Sequence, residues 1–253
     1  MARARRIAEE HRPYAVLYPA IAEAARRTGA SAVGLVDAGG AAGLNLVVDG
    51  VAITYSNGQS VGDPASPVQV SASLVRTRRI QAAALPPVVA RIAVGPDLLD
   101  VSDPEDAAWL RTCLGPHPKQ LAGLEAQLRL TAAVRPVLLR GDPVELLAEA
   151  VARVPTDVLP VITTTWALSR LSGARRVRFV QRMADAALRR PVAWVSVEGV
   201  GVAPTIPTLG DRPASGHSII GLAVFERSTP RSEAVGRCWS RGRMLSWFAD
   251  PHE

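Results

Sequence analysis

Asp37 ends an apolar run and opens directly into glycine in the segment SAVGLVDAGGAAGLNLVV, which spans Ser31 to Val48. A buried strand that stops at such a turn delivers its carboxyl end to the crevice of a doubly wound α/β fold. Gly39 and Gly43 let the backbone approach a nucleotide-like ligand there. Asn45 either orients a ligand carboxylate or satisfies buried backbone. Further apolar runs end in residues with chemistry of their own. Asp142 follows a third run and starts an Asp-Pro turn that also reads as a helix N-cap. Thr163, Thr164, Thr165 and Trp166 close a fourth run. Threonines without an activating partner are neither strong bases nor nucleophiles, so these residues are expected to bind and orient an acceptor. Glu198, at the end of a fifth run, is the carboxylate best placed to abstract a proton, or else hydrogen-bonds the glycine-rich loop that follows. His217, in PASGHSII, sits among small residues in a loop beside these strand ends; it is either a catalytic group or an exposed loop histidine.

Positioning these groups requires alternating strands and helices. Tyr14 to Thr28 has apolar residues at helical spacing and ends at Gly29, with Tyr14 and Tyr18 one turn apart as anchors. After Leu44 to Val48 short alternating segments follow, with Asn57-Gly58 as a hairpin signal. They predict a β-rich insertion at about 50–88. Strands are expected at Arg91 to Val94, Val137 to Arg140, Val158 to Thr163 and Val192 to Val197. Helices are expected at Pro104 to Leu114, Pro118 to Ala133, Val144 to Arg153 and Ala174 to Arg189. Two late strands, Ser218 to Arg227 and Ala234 to Cys238, lack an intervening helix and imply an antiparallel edge pair, followed by a tail at Met244 to Phe248. The expected fold is one α/β domain over 1–253, Rossmann-like and doubly wound, with a mostly parallel seven-stranded sheet.

The 253 residues suffice for a substantial core. The net charge of +6 comes from 29 basic residues, of which only Lys119 is lysine. Arginine clusters at 3–6, 76–79 and 175–178 are scattered and poor in aromatics, so they read as solvated faces and no nucleic-acid partner is expected. No apolar run has membrane-spanning length and the N-terminus lacks a signal-peptide centre, which predicts a cytoplasmic protein without membrane contact. Cys113 and Cys238 lack ligand spacing, so neither metal nor disulfide is expected.

The Asp-x-Gly-x-x-x-Gly spacing resembles the first motif of S-adenosylmethionine (SAM) dependent methyltransferases more than the pyrophosphate fingerprint Gly-x-Gly-x-x-Gly. The segments GLVDAGGAAGLNL, RIAVGPDLLDVSDPEDAAWL, VLLRGDPVELL and VAWVSVEG, within Tyr14 to Phe248, resemble a bacterial family known as domain of unknown function 2332, regarded as class I methyltransferase-like. The resemblance implies SAM over Gly39 to Gly43, with Asp37 meeting its amino-acid part or capping the turn. It also implies Asp142 near the adenine amino group. The chain departs from the family pattern in four residues. Ala41 replaces a serine, Gly95 replaces the acid that holds the ribose hydroxyls, Gly115-Pro116 replaces Trp-Pro, and a threonine replaces a histidine after the fourth strand. The helical region that begins longer members is also missing, which leaves room for a homo-oligomer or protein partner. Asp97, or else Asp100, is expected to replace the missing ribose acid. Two functions follow: methyl transfer to a small-molecule acceptor, or a divergent chain acting as partner subunit, binding protein or enzyme of another reaction in the same cleft.

Overall fold

The computed structural model describes residues 13–80, 84–114, 118–227 and 229–249. The first arginine cluster and the Gly115-Pro116 pair lie outside them. Among the described residues the helix α1 (Tyr14–Thr28) comes first and is buried on almost every side, as its alanine-rich, apolar sequence requires. Gly29 ends it in the left-handed conformation, with φ 65°. The strand β1 (Val33–Ala38) follows, then a 3₁₀ segment (Leu44–Gly50). Three short strands occupy the insertion: β2 (Ala52–Tyr55), β3 (Ser60–Gly62) and β4 (Gln69–Leu74). β2 and β3 pair antiparallel across Asn57-Gly58, where Gly58 takes φ 85°.

Strand and helix then alternate: β5 (Val88–Gly95), α2 (Pro104–Leu114), α3 (Pro118–Val134), β6 (Val137–Arg140), α4 (Leu147–Ala152), β7 (Leu159–Thr165), α5 (Gly173–Ala187) and β8 (Val192–Gly199). The chain closes with β9 (Ser218–Glu226), β10 (Thr229–Trp239) and β11 (Met244–Trp247). All eleven strands form one mostly parallel sheet in the order β3-β2-β4-β11-β10-β9-β8-β7-β1-β5-β6. This corrects the seven-stranded expectation. The residues read as a tail form β11, which pairs with β10 on one side and β4 on the other. The insertion therefore extends the main sheet, and the antiparallel pair β9–β10 lies inside it rather than at an edge. The fourth predicted helix is also shorter than expected, because Asp142, Pro143 and the residues after them form a turn before α4 begins.

Two apolar layers cover the sheet. Val33, Leu35, Val161 and Val195 pack with α1 on one face, whereas Val36, Ala38, Ile162 and Trp194 pack with Phe179 and Met183 of α5 on the other. This alternation within β1 decides which side of the sheet each residue of the site faces. Cys238 is buried and Cys113 half-buried. Among the described residues no helix is long and apolar enough to cross a membrane.

Candidate functional site

β1 lies between β5 and β7, and strand order reverses beside it: the chain runs outward through β5 and β6, then crosses to β7 and β8 on the other side. Such a switch point opens a crevice at the carboxyl ends of the strands. A cleft of about 270 Å³ lies there. It is lined by Gly39, Gly40 and Ala41 after β1, Asp97 after β5, Asp142 after β6, and Ala167, Leu168 and Arg170 after β7. Phe179 of α5 closes its apolar side. This volume is near the lower end of the roughly 300–1,000 Å³ of small-molecule sites.

Internal packing accounts for the two adjacent glycines of the turn. Gly39 has φ 92°, and a Cβ there would lie 2.8 Å from the Ala167 Cβ. A Cβ on Gly40 would stand 2.2 Å from Asp37 Oδ2. Asp37 itself does not line the cleft. By alternation it shares the α1 face with Leu35, while Ala38 lines the cleft on the opposite face. Asn45 Nδ2 donates to both Asp37 oxygens at 3.4–3.5 Å and to Thr165 Oγ1 at 3.2 Å, and Thr163 Oγ1 donates to Asp37 Oδ1 at 3.4 Å. Burial pushes the Asp37 carboxyl up to about 6, against these long hydrogen bonds and the charge of Arg170. Gly43, with φ 63°, faces Leu46, Ala93 and Pro136. Asp37, Gly43 and Asn45 thus form a buried polar support behind the cleft, and Gly39 alone of the four reaches its wall.

The acids after β5 and β6 do reach the cleft. Asp97 lines it from the loop after Gly95, where a Cβ would already lie 3.2 Å from the Gly40 carbonyl oxygen. Asp100 instead accepts the Ser102 N–H and borders a neighbouring cavity. Asp142 Oδ1 accepts the Val144 N–H at 2.8 Å, a cap-like hydrogen bond at the head of its turn. Its other oxygen pairs with Arg175, a partner that nothing in the sequence indicated. Arg170, which donates to the Gly39 carbonyl at 3.1 Å, was equally unforeseen. Arg175 belongs to a cluster that reads in the sequence as a solvated face, and Arg170 carries no local signal.

The residues expected at the acceptor wall lie deeper. Thr163, Thr164 and Thr165 are all buried, and Thr164 Oγ1 accepts the Trp194 indole N–H at 3.0 Å. Trp166, with φ 51°, donates its indole N–H to Ser218 Oγ at 2.9 Å, and Arg241 stacks over its ring. Glu198 bonds the loop after β7 rather than the loop that follows its own strand. Its Oε1 accepts the N–H groups of Ala167 and Leu168 at 2.9 and 3.0 Å, while its buried Oε2 has no hydrogen-bond partner among the described residues. Burial pushes this carboxyl up to about 7. His217 Nε2 lies 2.9 Å from Asp211 Oδ2, and Arg237 grips both oxygens of Asp211, holding that acid below its usual range. That dyad, with His217 against Trp239, does not line the cleft. Among the described residues no group of three side chains is arranged to hold a metal ion.

No curated protein and no solved structure matches the chain. The model of the family described as "Uncharacterized protein conserved in bacteria (DUF2332)" matches residues 2–247, nearly the whole chain, and the protein belongs to that family.

Proposed function

We propose that the chain binds S-adenosylmethionine in the switch-point cleft and transfers its methyl group to a small-molecule acceptor. The observation that carries this reading is the meeting of Asp97, Asp142 and the Gly39–Ala41 backbone in one cleft at the carboxyl ends of β6, β5 and β1. The five adjacent parallel strands, in sheet order β8-β7-β1-β5-β6, support it. The lining fits the cofactor chemically. Asp97 accepts hydrogen bonds from ribose hydroxyls, and Asp142 accepts one from the adenine amino group. Pro143, Leu168, Leu171 and Phe179 offer an apolar wall to the base, while Arg170 meets a carboxylate. When bound, the sulfonium supplies an already activated methyl group. The protein contributes binding, orientation and exclusion of water, with the acceptor held over the ends of β7 and β8.

A second reading, ligand binding without methyl transfer as a partner subunit or in another reaction, is favoured by one feature. The ionisable groups among the cleft-lining residues are Asp97, Asp142, Arg170 and Arg175, while Glu198 and His217 stand outside. Thermal unfolding with S-adenosylhomocysteine tests binding itself. At 100 times the dissociation constant a true ligand adds about 2.7 kcal/mol. The proposal expects a shift that saturates with ligand; no shift at millimolar ligand removes both SAM binding and methyl transfer. Release of S-adenosylhomocysteine from SAM in the presence of an acceptor then separates the two readings.

A further inference from the structure

The cleft wall contributed by the loop after β7 is a short strap, Trp166 to Leu171, that begins at a strained residue. Trp166 occupies the left-handed region at φ 51°, which a bulky side chain adopts only when its surroundings hold it there. Its backbone N–H is fixed to the Val197 carbonyl at 2.9 Å. Beyond that point the strap is suspended between two charges. Its amide N–H groups at Ala167 and Leu168 converge on Glu198 Oε1. Its carbonyls at Leu168, Ser169 and Leu171 accept from the Arg176 guanidinium at 2.9–3.3 Å. The peptide dipoles of the wall are therefore aligned between a carboxylate and a cation. The Ser169 N–H also favours the ionised carboxylate, and among the described residues the buried Oε2 has no hydrogen-bond partner. A group in that condition is over-committed to its neighbours and under-solvated, so its charge state and the position of the strap are coupled.

We propose that Glu198 is a positioning residue for the cleft: its carboxylate locks Ala167 and Leu168 into the wall, and protonation slackens them. The inference rests on the cleft being the ligand site, but not on what the ligand becomes. A carboxylate binds N–H donors roughly twice as strongly as a neutral acceptor does, so the wall is tightest when Glu198 is ionised. The charged group that acts on Glu198 from the strap is Arg170, which favours ionisation; Arg176 acts on the strap's opposite edge. The own-strand neighbour Ser196 and the β9 partner Ile219 carry no charge, and Val200, Ala203 and Ile206 from the following loop are apolar. Asp37 faces Arg170 from the other side of the sheet and has its own transition near 6. Burial places the Glu198 transition near 7, so affinity for a cleft ligand falls as pH drops through neutrality.

The test follows backbone amide resonances of the full chain from pH 5 to pH 9. Ala167 and Leu168 should titrate together with a midpoint near 7, and Glu198→Gln, which keeps the shape and an acceptor oxygen, should abolish the transition. Amides that stay still, or that titrate alike in Glu198→Gln, overturn the proposal. S-adenosylhomocysteine affinity should also fall several-fold from pH 8 to pH 6 in the parent and stay level in Glu198→Gln. Equal pH dependence in both proteins contradicts the positioning role. If that probe does not bind at any pH, the amide titration still decides the role of Glu198, and the failure belongs to the SAM reading.

Discussion

Glu198→Gln gains about 3 kcal/mol of stability over the parent protein between pH 5 and pH 8, measured as the change in the difference between the two unfolding free energies. The sign follows from proton binding. Glu198 binds its proton more tightly folded, at about 7, than unfolded, near 4.5. Between those values the folded state holds more protons than the unfolded chain, so parent stability falls as pH rises through the window. At roughly 1.4 kcal/mol for each tenfold change in proton affinity, the loss is about 3 kcal/mol. The glutamine cannot ionise and escapes it. Asp37→Asn should behave the same way over a window from about 3.8 to about 6, with a loss of about 3 kcal/mol avoided above it. Chemical denaturation at closely spaced pH values reads both effects, and a difference independent of pH would show that neither carboxyl is buried as described.

Arg190→Ala should cost about 3 kcal/mol, and Arg190→Lys most of that. The guanidinium lies just past α5 and donates to four carbonyls at the end of α4 and the loop beyond it: Val151, Val154 at 2.9 Å, Pro155, and Val158 at 3.4 Å. The Val151 and Pro155 carbonyls also accept the Val154 and Val158 N–H groups, so the planar cation gives those two a second donor and ties them to the Val154 and Val158 carbonyls on a crowded, partly dry surface. Lysine carries the same charge but not the fork. The packing between α4 and α5 depends on this plug, and the same loop leads into β7. Urea denaturation checks the prediction; a loss below about 0.5 kcal/mol, the usual range for surface substitutions, would mean that solvent replaces the guanidinium without penalty.

The sequence made the central strands legible because their apolar runs are long and end in turn residues. β1 with its Asp-x-Gly end, the hairpin at Asn57-Gly58, and the helices α2 and α3 all follow from local patterning. The extension of the sheet was not legible. β11 and β4 meet through only Met244 with Ser73 and Leu245 with Leu74, a non-local contact between short segments that leaves no periodic signature. Within the site, Gly39 and Asp142 are legible because strand ends are readable, whereas Asp97 comes from the family resemblance, as the substitute for an acid at Gly95. Asp37 was taken for a cleft residue because β1 is buried on both faces, so its sequence lacks the polar alternation that reveals which way a side chain points. Arg170 and Arg175 are illegible for a different reason: Arg175 sits in an arginine cluster that reads as a solvated face, and no local pattern marks a guanidinium that reaches back to Asp142 or Gly39.

The ligand site we propose is the cleft between the Gly39–Ala41 turn, Asp97, Asp142 and the β7 strap. Calorimetric titration of S-adenosylhomocysteine into the parent and into Asp97→Ala tests it most directly, because Asp97 lines that cleft on an exposed loop and is the acid assigned to the ribose. Saturable one-to-one binding is expected in the parent and at least tenfold weaker binding in Asp97→Ala, about 1.4 kcal/mol, with unfolding of the unliganded variant unchanged. Equal affinity in the two proteins would contradict the placement of the ligand, and no heat of binding in either would contradict the assignment of the site.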